Sequence, residues 1–419
     1  MYYLLFLVYL LLLCGIVARS GFIRRAALGN RLTLLLFFCW VSAGLINSYL
    51  DLHYYTVSDA RTFNQMGIDE FHLLLQQPRT YLSDIFQSNH HNSYGGFLED
   101  THSFWNDTRS NLIVKLLSVF DLFSRGNLYI NALFYNFLVF FGCIASYRTW
   151  ARFFPGRKGI LVVGIFLLPS TLFYGSCLLR DGLIYLALGC SLFHLAALAD
   201  VPRKRFRHIA CAIPFLLLIL LLRNFVFIAL VPALLGWWLA SRRPRHALRT
   251  FLAVYAGCAV LFFTTGWLPY GYNLPAHVSN RQSDFIVIAR NGASAVAVRP
   301  LTPDVRGFLE NLPQAISLSL MRPFITERRT PLYIPAALEL LAYQLLLVLF
   351  VVFHRKDRQV PPWVYCSVFF AMTMFLMIGY TIPILGAIER YRSIYFPCVL
   401  VPAACFTDWK RVGALLHIR

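Results

Sequence analysis

The sequence predicts an all-α polytopic membrane protein of about eleven transmembrane helices, with two long non-cytoplasmic loops that carry short interfacial helices. Three observations predict this fold. The 419 residues are 58% hydrophobic and only 14% charged, with a mean hydropathy of +0.60. The apolar residues recur in runs of roughly 20, the length that crosses a bilayer as a helix. The basic residues are gathered in short clusters between these runs.

The first apolar run, MYYLLFLVYLLLLCGIVA, has few charges before it and no small-residue cleavage site. We therefore expect it to remain as a transmembrane helix and not to be removed as a signal peptide. Residues 1–419 are predicted to form a single integral membrane domain. Its helices are predicted at 2–18, 32–50, 128–147, 159–177, 182–200, 209–222, 225–240, 250–267, 332–353, 362–380 and 392–407.

The net charge of +19 does not indicate a nucleic-acid partner, because its distribution follows the positive-inside rule. With eleven helices, every basic connector falls on one side, which the rule identifies as the cytoplasm. The N-terminus is then outside and the C-terminus cytoplasmic. The basic connectors include Arg24, Arg25 and Arg31; Arg148, Arg152, Arg157 and Lys158; 203–208; 241–249; 354–358; and the tail with Lys410, Arg411 and Arg419.

Residues 209–240 form a nearly continuous apolar stretch that only Arg223 and Asn224 interrupt. A single helix there would place the basic clusters at 203–208 and 241–249 on opposite sides of the membrane. It would also place an arginine in mid-bilayer, at a cost of about 2.5–3.5 kcal/mol. The sequence therefore predicts two short helices in a tight hairpin, with Arg223 at its outer tip.

The two long outer loops are predicted at residues 51–127 and 268–331. The first carries nine of the 19 acidic residues of the chain against five basic ones. Two segments in these loops have the pattern of amphipathic helices that lie at the membrane interface. They are LIVKLLSVFDLF (112–123) and FLENLPQAISLSLMRPF (308–324).

Polar residues that no loop rule explains collect on the predicted outer face. Cations are disfavoured in short outer turns, yet several arginines lie there, and a bound anion would compensate for them. Guanidinium groups suit a phosphate because they bind its oxygens bidentately and keep their charge. The candidate phosphate-binding residues are Arg180, Arg223, Arg322, Arg390 and Arg392, with Asp181, Glu389 and Tyr391 in support.

Asp59 follows the second predicted helix by nine residues and is the candidate catalytic residue. A polyprenyl phosphate or pyrophosphate would place its anionic head at the interface and its tail in the bilayer. If the head carries a sugar, a nearby carboxylate can deprotonate an acceptor hydroxyl as general base. Arginines can stabilise charge on the leaving phosphate. Inversion at the anomeric carbon needs one such base, whereas retention needs two closely spaced carboxylates.

Four segments resemble those of GT-C superfamily membrane glycosyltransferases and of bacterial surface-polysaccharide polymerase-like membrane proteins. They are SDARTF, SCLLRDGLIY, LMRPFITERRTPLYIPAALE and ERYRSIYFPCVLVPAA. The resemblance implies that Asp59 is the catalytic base and that the donor is a polyprenyl-linked sugar. It also implies a glycan or glycolipid acceptor, a place in cell-surface polysaccharide assembly and the bacterial inner (cytoplasmic) membrane.

Simpler interpretations stay open at this point. Ser58 or Asp59 could simply cap a short helix, and each arginine could mark a helix end. His90, His91, Glu99, Asp100 and His102 could bind a divalent metal, but their spacing is irregular and no cofactor is predicted. The cysteines are predicted to be small core residues.

Two other functions also stay open. A lipid-linked oligosaccharide flippase, or another transporter, would be expected to place cations within its helices and to keep its loops short. A non-catalytic scaffold for a polysaccharide machine would tolerate substitution of Asp59.

Overall fold

In the computed structural model, the described residues are 2–55, 58–88, 104–198, 205–290, 294–327, 333–354 and 359–415. In these ranges the chain is helical, and its β-structure consists of two isolated bridges, Ala295 with Ile384 and His354 with Thr407. The all-α prediction is therefore confirmed. The ten cysteines form no disulfide bond, and five of them are buried.

The chain divides into two compact units. Unit 1 comprises Met1–Gly156 and Leu161–Asn224, and unit 2 comprises Arg157–Ile160 and Phe225–Arg419. Each unit has its own core of buried apolar side chains.

Unit 1 contains the first eleven helices, apart from residues 158–160 at the start of the eighth, which belong to unit 2. In chain order they are α1 (Tyr2–Arg19), α2 (Gly21–Arg24), α3 (Asn30–His53), α4 (Asp59–Gln76), α5 (Pro78–Ser83), α6 (Phe104–Ser124), α7 (Leu128–Phe153), α8 (Lys158–Phe166), α9 (Pro169–Ser176), α10 (Arg180–Ala196) and α11 (Arg205–Leu222). Helix α7 packs against α3 and α10, and α10 also packs against α11. Helix α6 packs against α4, α7 and α11.

Unit 2 contains the remaining nine α-helices of the described chain. They are α12 (Asn224–Arg242), α13 (Ala247–Thr264), α14 (Leu274–Ala289), α15 (Val305–Ile316), α16 (Tyr333–Phe353), α17 (Pro362–Thr381), α18 (Leu385–Ser393), α19 (Phe396–Phe406) and α20 (Trp409–Leu415). Helix α15 continues into a π-helix, Ser317–Met321. Helix α17 is central, because α13, α14, α15, α18 and α19 all pack against it.

Eight helices of the described chain are long and apolar enough to cross a membrane, or up to nine if the bent pair α8 and α9 is one span. This is consistent with an integral membrane protein. The count of eleven spans stays a prediction. The segments predicted at 182–200 and 392–407 form shorter helices, α10 with 17 residues and α19 with 11. Helix α19 begins only at Phe396, next to Pro397, because proline fits the first turn of a helix.

The predicted interruption at Arg223 is confirmed, since α11 ends at Leu222 and α12 begins at Asn224. One continuous helix over 209–240 is therefore excluded. The reversal of direction predicted at this point joins the two units and stays a prediction. Both segments predicted as amphipathic loop helices are helical, in α6 and α15, and their place at the interface stays a prediction.

Aromatic side chains bind the carbonyl groups that lose their helical partners at the break between α8 and α9. The two helices are bent by 47°, and Pro169 has no N–H to donate to the carbonyl of Ile165. Tyr185 Oη donates to that carbonyl at 3.1 Å, and Trp40 Nε1 donates to the carbonyl of Phe166 at 3.1 Å. The two rings stack with centroids 6.0 Å apart. The carbonyls that the break releases therefore keep partners inside the protein, as an apolar environment requires.

Carbonyls near the end of α9 are bound in the same way by amide side chains. Asn47 Nδ2 of α3 donates to the carbonyl of Phe173 at 2.6 Å. Asn136 Nδ2 of α7 donates to the carbonyl of Ser176 at 3.0 Å. Helix α9 therefore has a fixed end, and the three residues after it lead directly to Arg180, the first residue of α10.

Helices α7 and α10 approach most closely where two glycines face each other. A Cβ added at Gly189 would collide with the main-chain carbonyl of Gly142, and one added at Gly142 would collide with the main chain of Leu186. Small residues at such contacts let helix backbones pack directly in membrane proteins.

We expect Gly189→Ala to destabilise the protein by about 1–3 kcal/mol, because the new methyl group overpacks this contact. Thermal unfolding of the purified protein in detergent measures the effect. Gly15→Ala in α1 is the matched control, since nothing lies within 4 Å of a Cβ at Gly15; it should be neutral or slightly stabilising. Equal unfolding midpoints for the two variants would contradict the close packing of α7 on α10.

Candidate functional site

The candidate site in unit 1 begins where α3 ends and α4 starts. Ser58 is the N-cap of α4, and its hydroxyl oxygen accepts the main-chain N–H of Arg61 at 3.4 Å. Of the two candidate capping residues, Ser58 and Asp59, the one that caps α4 is therefore Ser58. Asp59 is the first residue of the helix, and its side chain is exposed. A carboxylate in the first turn is stabilised by the helix dipole.

A second carboxylate, that of Asp51, supports this turn. Asp51 lies in the last turn of α3 and is only 7% exposed. Its carboxylate accepts the Ser58 hydroxyl at 2.6 Å, and its main-chain carbonyl accepts the guanidinium of Arg61. Arg61 also donates to the carbonyl of Tyr55 at 3.2 Å. These bonds tie the first residues of α4 to the end of α3 and so fix the position of Asp59.

Arg180 lies between α4 and α6. Its Nη2 donates to Ser110 Oγ of α6 at 2.7 Å, and its guanidinium carbon lies 5.5 Å from the centroid of the Phe63 ring of α4. Phe63 is four residues after Asp59, so the two side chains lie on one face of α4, about one turn apart. The structure therefore places the predicted arginine at the face of α4 that carries the predicted carboxylate.

Arg223 and Asp181 form a buried ion pair. Arg223 Nη2 lies 2.6 Å from Asp181 Oδ1; Asp181 has no exposed surface and Arg223 is 7% exposed. Asp181 directly follows Arg180 at the start of α10, and Arg223 directly follows the last residue of α11. The pair therefore joins the ends of two packed helices beside Arg180.

Arg109 of α6 belongs to the same site, and the sequence analysis missed it. It is only 4% exposed, and it directly precedes Ser110, the partner of Arg180. Burial, and then the positive charge of Arg223, lower the pKa of Arg109 to about 10, because both disfavour its charged form. Arg109 stays protonated at neutral pH, next to a second buried cation.

We call Arg109, Arg180 and Arg223 the arginine cluster. Their guanidinium groups come from α6, α10 and the end of α11; Arg223 pairs with Asp181, Arg109 lies near Arg223, and Arg180 lies over Phe63 of α4. A site that holds several cations at low solvent exposure is suited to an anion with more than one negative oxygen. A phosphate or diphosphate fits this description.

The other predicted arginines lie in unit 2. Arg392 is 2% exposed, and its Nη1 donates to the carbonyls of Ser319 at 3.1 Å and Arg322 at 2.5 Å. It thereby binds carbonyls in and just after the π-helix. Arg322 Nε lies 3.2 Å from Glu327 Oε1.

Arg390 and the predicted supporting residues Glu389 and Tyr391 are half-buried in α18. The guanidinium carbon of Arg390 lies 5.2 Å from the centroid of the Tyr391 ring. Arg180 and Arg223 come together in unit 1, while Arg322, Arg390 and Arg392 belong to unit 2. The predicted convergence of all five on one cavity stays a prediction.

The candidate metal cluster His90, His91, Glu99, Asp100 and His102 lies outside the described residues. In the described ranges, no group of three or more His, Cys, Asp or Glu side chains could hold a metal ion.

These features define a class, a helical protein with membrane-length apolar helices and a cation-rich site at the end of a helix bundle. Comparisons with protein families, curated proteins and solved structures gave no match to this chain. The function therefore has to be argued from the site itself.

Proposed function

We propose that the protein is an inverting glycosyltransferase or glycan polymerase. Its donor is a polyprenyl-(pyro)phosphate-linked sugar, and it acts at the outer face of the bacterial inner membrane in cell-surface polysaccharide assembly. One observation carries this proposal: an exposed carboxylate, Asp59, lies on the same face of α4 as Phe63, over which Arg180 lies. Arg180 binds Ser110, the residue after Arg109, and Asp181, the residue after Arg180, pairs with Arg223.

The reaction follows from the charges of these groups. Asp59 accepts the proton of the acceptor hydroxyl, and the hydroxyl oxygen forms a bond to the anomeric carbon of the donor sugar. The bond between that carbon and the phosphate oxygen breaks, and its electron pair stays on the phosphate. The arginine cluster stabilises the negative charge that grows there. One base and one leaving group are sufficient for inversion.

The site's position favours a lipid-linked donor. Arg180 and Arg223 lie at the ends of helices α10 and α11, and α11 is long and apolar enough to cross a membrane. A phosphate bound there can lie at the membrane surface while a polyprenyl tail remains among the apolar helices. The acceptor is a glycan or glycolipid that approaches the exposed side of α4.

A transfer assay in proteoliposomes tests this function. We expect the purified protein to transfer sugar from a polyprenyl diphosphate donor to an added glycan acceptor, with inversion of the anomeric configuration and release of polyprenyl diphosphate. Arg180→Lys should slow the transfer although the charge is kept, because the bidentate fork is lost. Gln65→Ala, on an exposed position of α4, is the control and should leave the rate unchanged.

The same proteoliposomes distinguish a glycosyltransferase from a transporter. Movement of the intact lipid-linked sugar across the bilayer, without cleavage of its phosphate bond, would identify a flippase. A strain that lacks the gene gives a second readout. Accumulation of lipid-linked precursor with loss or shortening of the surface glycan supports the proposal, and an unchanged surface glycan contradicts it.

A further inference from the structure

A group of basic side chains lies at the other ends of α10 and α11, away from the arginine cluster. We call it the basic cluster: Arg25, Arg148, Arg152, His194, Arg207 and His208. Its members come from segments far apart in the sequence: the connector between α1 and α3, the last turns of α7, the end of α10 and the start of α11. The structure brings these segments together at one end of unit 1.

The arginines of the basic cluster are held in place by aromatic rings. The guanidinium carbon of Arg148 lies 4.6 Å from the centroid of Phe22 and 4.5 Å from that of Phe193, and its Nη1 donates to the carbonyl of Phe22 at 3.3 Å. The guanidinium carbon of Arg152 lies 4.9 Å from the same Phe193 ring. Such contacts orient the cations.

Two histidines extend the cluster. His194 Nδ1 of α10 and His208 Nδ1 of α11 are 3.1 Å apart. A hydrogen bond between them requires one ring to donate and the other to accept. Arg148 and Arg152 lie over the ring of Phe193, the residue before His194, and Arg207 directly precedes His208. Because these neighbours are cations, an anion fits this site and a metal cation does not.

An apolar stripe begins directly after His208. Ile209, Ile213 and Leu217 follow one another at intervals of four residues on α11, and they are 40%, 47% and 50% exposed. Residues four apart lie on the same face of a helix, so the stripe leads away from the basic cluster along α11. A ligand that matches both features has an anionic head and a long apolar tail.

We propose that the basic cluster binds the phosphate headgroup of an anionic phospholipid, with an acyl chain along the stripe of α11. Basic pockets between transmembrane helices suit such headgroups, since each cation near the surface adds to the attraction. The headgroup oxygens lie between Arg148, Arg152 and the histidine pair, and Arg25 and Arg207 add longer-range attraction. This binding site does not depend on the proposed transfer reaction.

Native mass spectrometry of the full chain, released from nanodiscs of mixed phosphatidylglycerol and phosphatidylcholine, tests the proposal. We expect the wild type to retain phosphatidylglycerol above its share of the nanodisc. Arg148→Gln and Arg152→Gln should each weaken this retention roughly fivefold. Arg25→Gln should weaken it less, and because Arg25 is exposed this variant still reports if the others fail to fold.

Arg306→Gln is the matched control. Arg306 is an exposed arginine of α15 in unit 2 that pairs with Glu310 at 2.7 Å, and its loss changes the net charge by the same amount. Retention of the two lipids in their nanodisc proportions, or an equal loss in the control, would overturn the proposal. If the protein in phosphatidylcholine nanodiscs retained inorganic phosphate as well as it retains phosphatidylglycerol, the ligand would be a soluble anion. That result would overturn the proposal as well.

Discussion

Asp59→Asn is expected to lower the rate of sugar transfer by about 10²–10⁴-fold, the usual contribution of a general base. Asparagine keeps the shape of the side chain but cannot accept the proton of an acceptor hydroxyl. Ser58 caps α4, so the substitution leaves the cap in place and removes only a first-turn charge worth about 0.3–1 kcal/mol. The protein should therefore fold and reach the membrane normally. The transfer assay in proteoliposomes measures the effect.

Asp69→Asn is the matched control for this experiment. Asp69 is a second exposed aspartate on the same helix, ten residues further along α4, so it shares the charge and the local structure but not the site. Its substitution should leave the rate unchanged. A folded Asp59→Asn variant that transfers sugar at the wild-type rate would end the catalytic role of Asp59.

Asp181→Ala is expected to destabilise the protein by about 3–5 kcal/mol and to abolish transfer. It leaves the buried Arg223 without the carboxylate with which it pairs at 2.6 Å, and an uncompensated charge in a buried place is costly. Thermal unfolding in detergent and the yield of folded protein measure the first effect. The transfer assay measures the second.

A double variant separates the structural role of the pair from its role in binding. Asp181→Leu with Arg223→Met replaces both charges by apolar groups, which often restores most of the stability of a buried pair. We expect this variant to fold but to remain inactive, because the arginine cluster has lost one cation. If both transfer and stability were recovered, Arg223 would have only a structural role and would not be needed for donor binding. Removing the exposed pair Arg306 and Glu310 should leave the stability nearly unchanged, because solvent screens the interaction.

The elements that could be predicted from the sequence are those that follow from local chemistry. Apolar runs located the long helices to within a few residues, as in α16, predicted at 332–353 and observed at Tyr333–Phe353. The break at Arg223 was predicted because a charge in mid-bilayer is costly. Serine before an acidic first turn is a common helix start, and α4 begins in this way at Ser58.

The sequence did not reveal two residues of the site, Arg109 and Asp51, because their positions depend on tertiary packing. Arg109 lies at intervals of four residues before Ile113 and Leu117, which are both buried, so its spacing already placed it on the inner face of α6. No local pattern shows that Arg223, 114 positions later, lies near that face. Asp51 lies in the segment 51–127 that was predicted as a long outer loop. The sequence does not show that it is buried and that its carboxylate binds Ser58 at the start of α4.

The broken segment α8–α9 has a consequence for biosynthesis. Its carbonyls accept hydrogen bonds from Trp40, Asn47 and Asn136, which belong to α3 and α7 and leave the ribosome first, and from Tyr185 of α10, which follows it. Unsatisfied carbonyls are excluded from hydrocarbon, so α8–α9 can settle in the bilayer only once these donors are there. The donors of α3 and α7 are therefore in place before α8–α9 is made, and Tyr185 completes the set afterwards. A circular permutant that moved residues 158–176 ahead of α3 would place this segment in the membrane before any of its donors.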